Sequence, residues 1–393
     1  MLDRKVLKER YKDEIVSLRR YLHQHPELSM EEVETTAFIA QELDKLGIPY
    51  IKANPTGLIA TIEGKHPGKT VALRSDMDAL KITQKNDVPY KSQSEGRMHA
   101  CGHDAHMSIL LTAAKMLMDS KDEIHGTVHL LFQPAEEIGL GAKILIETGD
   151  WYEQTDNIFG AHIWSGLPTG KVSVEAGERM AATDRFRISI KGLSGHGSMP
   201  HQTVDAVVVA SAMVMNFQTI VSREYSPLDP LVVSVGSIHS GTAFNVISGV
   251  AELEGTVRYF RKEIGDTIKA SVRRVMEHTA SLYGAEAELT YIHNLPPVHN
   301  EETSSEIARE AAEKIMGEEN VVLREKTTGG EDFAFYLEKK PGCFAFIGSG
   351  NKEKKTDLAH HNDHFDIDED ALINGALLYA EYAVSYLEKS RSL

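Results

Sequence analysis

Val6, Leu7, Tyr11, Ile15, Val16 and Leu22 recur at the spacing of one helix face and stop before His25-Pro26. A second helical pattern runs from about Glu31 until Gly47 supplies a C-terminal stop. The period then shortens. LIATIEG and TVALRS read as strands, a helix follows near His106 to Met118, and TVHLLFQ reads as an apolar strand. A further helix around Ala142 to Glu147 precedes the strand NIFGAHIW. Strands alternating with helices predict a mainly parallel sheet covered on both sides, an α/β architecture.

The pattern changes near Ala181. RFRISIKG, TVDAVVVASAMVMNF, LVVSVGSIHS, VAELEGTVRYF, IGDTIKASVRRVMEHTASLY and AELTYIHN follow as strand, helix, strand, strand, helix and strand. That order is an α+β ferredoxin-like unit. It ends at the proline-bearing NLPPVHN, after which a helix from Glu301, the strand CFAFIGS and a helix near Asp370 to Glu388 resume the first style. The expected organisation is a discontinuous catalytic domain, 1–180 and 295–393, with a compact domain, 181–294, inserted into it.

Composition narrows the partners. A chain of 393 residues, 41% hydrophobic and 25% charged, has the profile of a folded protein of about two domains. Its 42 Lys and Arg against 58 Asp and Glu leave a formal charge of -16, a field that repels phosphate backbones and anionic headgroups and argues against nucleic-acid and membrane partners. The charged amino terminus has no signal-peptide core, and the longest apolar run, Ala206 to Met215, is too short to span a bilayer, so a cytoplasmic location is expected. Cys101 and Cys343 cannot build a disulfide framework and are expected as free thiols.

Candidate chemistry lies in four stretches. HACGHDAH carries Cys101 and His103, with Asp76 and Asp78 upstream in RSDMDAL. FQPAEEIG carries Glu136 and Glu137, GAHIWSG carries His162, and AHHNDHFDIDE carries His360, His361 and His364. Taken singly, His162 reads as a satisfied core histidine and the two glutamates as solvated loop acids. Taken together, Cys101, Glu136, Glu137 and His162 all follow strand-like runs, and open α/β sheets place ligand sites beyond the carboxyl ends of their strands. Thiolate, imidazole and carboxylate form a ligand set for zinc and its transition-metal neighbours, not for calcium or magnesium. Adjacent side chains diverge, so a Glu137 aimed at a metal leaves Glu136 free to act on a water beside it.

LRSDMDAL, MHACGHDAHM, LLFQPAEEIGLGA, GAHIW, KGLSGHGSMPHQTVDAV, FNVISGVAELEGTVR, GGEDFAFYL and HHNDHFDIDEDAL together cover most of the chain. In type and order they resemble the metal-dependent amidohydrolases that include hippurate hydrolase, N-acyl-amino-acid aminoacylases and auxin-conjugate hydrolases, relatives of carboxypeptidase G. The resemblance implies a phosphorylase/hydrolase-like catalytic domain and an inserted lid or dimerisation domain. It implies that Cys101, His103, Glu137, His162 and His361 bind two divalent ions (Zn, Mn, Co or Ni), with Cys101 shared between them. His103 and His162 are paired on one ion, and Glu137 and His361 on the other. His361 rests on its spacing to Phe365, and adjacent His360 is its alternative.

The same resemblance makes Glu136 the general base, has Asp78 orient the metal site, and gives His196, with His201 as rival, the reacting carbonyl. Asn245 assists His196, and Gly329, Gly330 and Arg258 are candidates for a substrate carboxylate, although Arg258 facing Glu252 or Glu254 as an outward strand charge is an equal reading. Ser248 in FNVIS stands where the family usually has proline. The implied activity is hydrolysis of a small N-acyl amino acid by metal-activated water in a homodimer or higher homo-oligomer. Alternatives are a dipeptidase or exopeptidase of the same family, a cysteine amidase with Cys101 as nucleophile, and a non-catalytic metal-binding protein.

Overall fold

The architecture follows from which strands can be buried on both faces. In the computed structural model, which describes residues 3–391, the strands His66–Asp76, His125–Gln133, Asn157–Pro168 and Gly342–Gly350 lie side by side and parallel, and their central residues are almost fully buried. Leu58–Glu63 and Tyr50–Lys52 extend this sheet antiparallel on one edge, and Val172–Ser173 closes the other, giving seven strands. Continuous apolar runs such as TVHLLFQ suit strands with no solvent face. The helices His103–Asp119, with its first fifteen residues buried, and Asp370–Lys389 supply the apolar cover.

Clustering of the chain gives two units. The first comprises Met1–Gly177, His299–Glu325 and Phe335–Leu393; the second comprises Glu178–Val298 and Lys326–Ala334. These bounds differ from the expected ones by a few residues at the joints and by one whole segment. Residues 326–334, which chain order leaves with the catalytic domain, pack in the second unit, where the Ala181 N–H donates to the Thr327 and Gly329 carbonyls. Backbone pairing over such a sequence separation leaves no periodic trace in the chain.

In the second unit the strands are ordered Leu231–Ser240, Val250–Tyr259, Ala182–Lys191, Glu286–Leu295, all antiparallel. Phe186, Ile188, Ile190, Leu253 and Val257 alternate inward against the helices Ala206–Thr219 and Lys262–Leu282, as a one-sided sheet requires. With its terminal π turn the first of these helices runs Ala206–Glu224, long and apolar enough to cross a bilayer by length and composition. The expectation of a span too short for this does not hold for the helix as a whole. Its Ala206, Val209, Ala210, Met213 and Phe217 are buried in the core of this unit.

In the first unit Phe159 lies stacked on Tyr382 with ring centroids 4.3 Å apart and edge-on to Tyr379 at 5.0 Å. The Tyr379 hydroxyl in turn accepts from the Ala161 N–H and donates to the Arg74 carbonyl, pinning two central strands just below their functional ends. Phe159→Ala is expected to lower stability by about 3–5 kcal/mol through the cavity it opens, read as a shift in the urea unfolding midpoint at unchanged slope.

Candidate metal centre

Four chain segments converge at the carboxyl end of the parallel strands in the first unit. Asp76 terminates its strand, Asp78 follows two residues later, and the loop Pro134–Glu137 leaves the neighbouring strand after Gln133. His162 lies in the middle of a strand that runs on to Pro168, where the sequence placed it at the end. The helix expected from His106 begins at His103. Gly102 precedes it with φ +93°, and a Cβ there would come within 2.4 Å of Ile163 Cδ1, so glycine permits the turn that delivers His103 into the site.

Cys101, His103 and Glu137 form one group of ligand atoms within 4.8 Å of one another, and Cys101, His162 and His360 form a second. Cys101 is common to both. Its Sγ is 3.3 Å from His162 Nε2, whose ring is held by Nδ1–H donating to the Ile163 carbonyl at 2.5 Å. His361 Nε2 is 3.5 Å from Glu137 Oε1. The grouping thus differs from the expected pairing of His103 with His162: His103 stands with Glu137, and His162 with His360. His364 is exposed and bonded to Asp363, away from the cluster.

The surroundings aim these side chains. His103 Nδ1 is 3.2 Å from Asp78 Oδ1, leaving Nε2 between Asp76 Oδ2 at 3.7 Å and Glu137 Oε1 at 3.9 Å. A carboxylate behind an imidazole in this way fixes its tautomer and raises its basicity. Asp78 Oδ1 and Oδ2 accept the Glu136 and Glu137 N–H groups at 3.1 Å each, and Oδ2 also accepts the Ser29 hydroxyl at 2.6 Å. His106 makes a third grouping with Asp76 and His103 but is already satisfied. Its Nε2 accepts from the Ile163 N–H at 2.9 Å, so Nδ1–H donates to Asp76 at 2.6 Å.

The electrostatics ask for a cation. Burial would lower the pKa of His103, yet Asp76, Asp78 and Glu137 push it up to about 10, while burial raises that of the Glu137 carboxyl. Burial and the neighbouring His106 and His360 hold His162 neutral, and burial takes His360 down to about 3. His103 Nε2 and Glu137 Oε1 are buried without a hydrogen-bond partner, a costly state for polar atoms that a shared cation would relieve. The donor set therefore fits divalent metal.

The remaining candidates lie in the second unit. The short strands Gly195–His196 and Val246–Ile247 pair there, and the Gly197 N–H donates to the Asn245 carbonyl, so His196 and Asn245 are neighbours. His196 Nδ1 is engaged by the Ser198 N–H at 3.1 Å and hydroxyl at 2.8 Å; His201 is exposed in the turn Pro200–Gln202. Arg258 is half-buried, and Glu254, offered by the sequence as its partner, is bonded instead to Arg185 and Arg187. Burial lowers the pKa of Arg258 against the pull of Asp184. Gly329 is exposed, whereas a Cβ on Gly330 would fall 2.4 Å from Thr183 Cγ2.

Sequence reasoning missed Glu32 and Arg19. Glu32, fully buried, accepts the Ala135 N–H at 2.9 Å. Arg19 bonds Asp104 at 2.8 Å beside His103, and Asp366 at 2.8 Å beyond the histidine loop. Each acts across a long sequence separation, Arg19 from a position that reads as amphipathic helix surface and Glu32 from one that reads as a helix cap, so no local signal marks either.

Peptidase family M20/M25/M40 matches residues 72–385. An N-acetylcysteine deacetylase of Bacillus subtilis is 41% identical over 379 residues, 95% of this chain and 97% of its own length. Thermostable carboxypeptidase 2 of Saccharolobus solfataricus is 39% identical over 384 residues, 96% of each chain. Among solved structures, the YXEP protein of Bacillus subtilis, a dinuclear metal-binding M20 peptidase, superposes with a TM-score of 0.86 at 38% identity. It covers 97% of this chain and 99% of its own.

Burial alone would raise the pKa of Asp104, but Arg19 and His23 hold it well below the usual carboxylate range. Its contribution to stability is therefore complete above the unfolded value of about 3.9 and is lost as pH falls from there toward the folded value. Asp104→Asn is expected to cost about 1.5–3 kcal/mol at neutral pH through the weakened charged hydrogen bonds to Arg19 and His23, with Asp366 and Glu369 still answering Arg19, and to flatten the acid limb of the stability curve. Chemical unfolding of the metal-free protein between neutral pH and pH 3 measures both.

Proposed function

The chain belongs to peptidase family M20/M25/M40 and is an enzyme acting on amide bonds, and from that premise we propose that it hydrolyses N-acyl amino acids. The observation that carries the reading is a thiol common to two donor groups, set beside adjacent glutamates whose amides share one carboxylate. Cys101, His103, Glu137, His162 and His361 would hold two divalent ions, Cys101 between them. A thiolate, imidazole and carboxylate set suits Zn, Mn, Co or Ni. Preference for His361 over its neighbour rests on its Nε2, which stands 3.5 Å from Glu137 Oε1, the oxygen that also faces His103.

Such ions supply a Lewis acid for the amide carbonyl and lower the pKa of water. Glu136 takes a proton from the attacking water and hands it to the departing amine nitrogen, so the carboxylate is regenerated with each turnover. Asp78 keeps Glu136 and Glu137 in register through their amides and directs His103 through its ring. His196, with Nδ1 engaged by Ser198 and Nε2 left to donate, and Asn245 stabilise the oxyanion that develops on the carbonyl. Arg258 and the amides at Gly329 and Gly330 take the substrate carboxylate. A net charge of -16 gives no long-range attraction for an anionic substrate, so recognition rests on these local groups.

The carboxypeptidase relative favours a second reading, an exopeptidase cleaving short peptides, in which the same groups act on an amide flanked by a free amine. A screen of N-acetyl-methionine and benzoyl-glycine against dipeptides, with added manganese, cobalt or zinc, separates the two. Turnover of dipeptides alone would reject the acyl-amino-acid reading. Glu136→Gln is expected to lower kcat by about 100- to 10,000-fold with metal content unchanged by elemental analysis. Chelation is expected to inactivate reversibly, whereas resistance to chelator with sensitivity to thiol alkylation would point to Cys101 as a nucleophile.

A further inference from the structure

Three consecutive amides of the loop that carries the two glutamates are bound by two buried carboxylates. Asp78 takes those of Glu136 and Glu137, and Glu32 Oε1 takes that of Ala135 at 2.9 Å. We infer that Glu32 is the positioning residue for Glu136, setting through the Ala135 amide the direction in which the Glu136 side chain leaves the loop. The inference rests on the reading of Glu136 as proton carrier.

Glu32 has the geometry of a fixed strut. It is fully buried at the start of the helix Val33–Lys45, yet its side chain does not cap that helix. Oε2 accepts the Thr56 hydroxyl at 2.6 Å, so the carboxylate cannot rotate away from Ala135, and its own carbonyl accepts the Thr36 hydroxyl at 2.6 Å. Thr36 Oγ1 then accepts the Gly57 N–H at 3.0 Å, tying the strut to the residue that leads into the strand Leu58–Glu63.

The loop needs such a hold. Ala135 has φ +52°, a conformation that L residues with a Cβ avoid. Its carbonyl accepts from Leu140 and Gly141 at 3.2 Å each, so the turn closes on this one residue. Ala135 is fully buried, and without Glu32 its N–H would have no acceptor at that place. Relaxing φ to find another would turn the following peptide plane and swing the Glu136 carboxylate off the reacting atoms.

The test compares Glu32→Ala, Glu32→Asp and Glu32→Gln in the metal-loaded enzyme on its best substrate from the screen. Glu32→Ala is expected to lower kcat by about 10- to 100-fold with KM and metal content unchanged, and to speed hydrogen exchange at the Ala135 amide. Glu32→Gln should recover most of the rate, because its oxygen still accepts from Ala135 and its NH2 can donate to Thr56. In the Glu136→Gln background, Glu32→Ala should cause no further loss. Parental kcat in folded, metal-loaded Glu32→Ala, or losses that multiply with Glu136→Gln, would overturn the inference. If Glu32→Ala does not fold, Glu32→Asp, one methylene too short to reach, carries the same expectation and the same refutation. An active Glu136→Gln enzyme would instead remove the proton-carrier reading itself, and the role given to Glu32 with it.

Discussion

Negative charge buried at the carboxyl end of the parallel strands is the constraint around which the first unit is organised. Glu32, Asp76, Asp78 and Asp104 are all fully or almost fully buried, and the Glu137 side chain is only 11% exposed. Isolated carboxylates in such surroundings would be prohibitively costly, so each must be answered by donors or cations. Arg74 and His106 answer Asp76, Arg19 and His23 answer Asp104, and the amides of Glu136 and Glu137 with Ser29 and His103 answer Asp78. The Ala135 amide and Thr56 answer Glu32. Glu137 Oε1 and His103 Nε2 are left buried without a hydrogen-bond partner, and both stand in the group that includes Cys101.

The same bookkeeping explains why distant segments are needed. Arg19 comes from the first helix, Asp104 from the start of the helix that carries His103, and Asp366 from the segment after the histidine loop. One buried guanidinium therefore ties together the two stretches that deliver His103 and His360–His361. Tyr90 closes this arrangement by donating to Asp366 at 2.8 Å with its ring 4.8 Å from the Arg19 guanidinium. Arg19 shares its charge among Asp104, Asp366 and Glu369, so these groups act as a unit and not as separable ion pairs.

Much of this was legible in the chain. Period-two and helical patterns located nearly every long element, because both sheets have faces whose burial the side chains must respect. The order of strands and helices after Ala181 carried the inserted unit. Cys101, Glu136, Glu137 and His162 were legible as candidates because the sequence reads them as following strand-like runs, which holds for the two glutamates after Gln133 but not for mid-strand His162. The start of the helix at His103 was not, since it depends on Gly102 packing against Ile163, a contact that local propensity cannot see. Nor was the grouping of ligands: His162 stands mid-strand and groups with Cys101 and His360, not with His103. Glu32 was invisible for a related reason, as an acid at a helix start reads as a cap, and its acceptor role exists only once Ala135 arrives from 103 residues away.

Charge also bears on how the chain can choose a substrate. A protein at -16 that collects anionic groups at its centre repels an anionic ligand everywhere except where cations are concentrated. In the second unit the arginines near Arg258 are spent: Arg185 and Arg187 share Glu254, and Arg261 pairs with Glu178 and Asp229. Arg258 differs. It is half-buried, its desolvation is opposed only by Asp184, and Asp184 is itself engaged by Tyr291 at 2.8 Å and His293 at 3.1 Å. Arg258 thus has its charge answered less fully than the neighbouring arginines, which is the physical ground for proposing it as the partner of a substrate carboxylate.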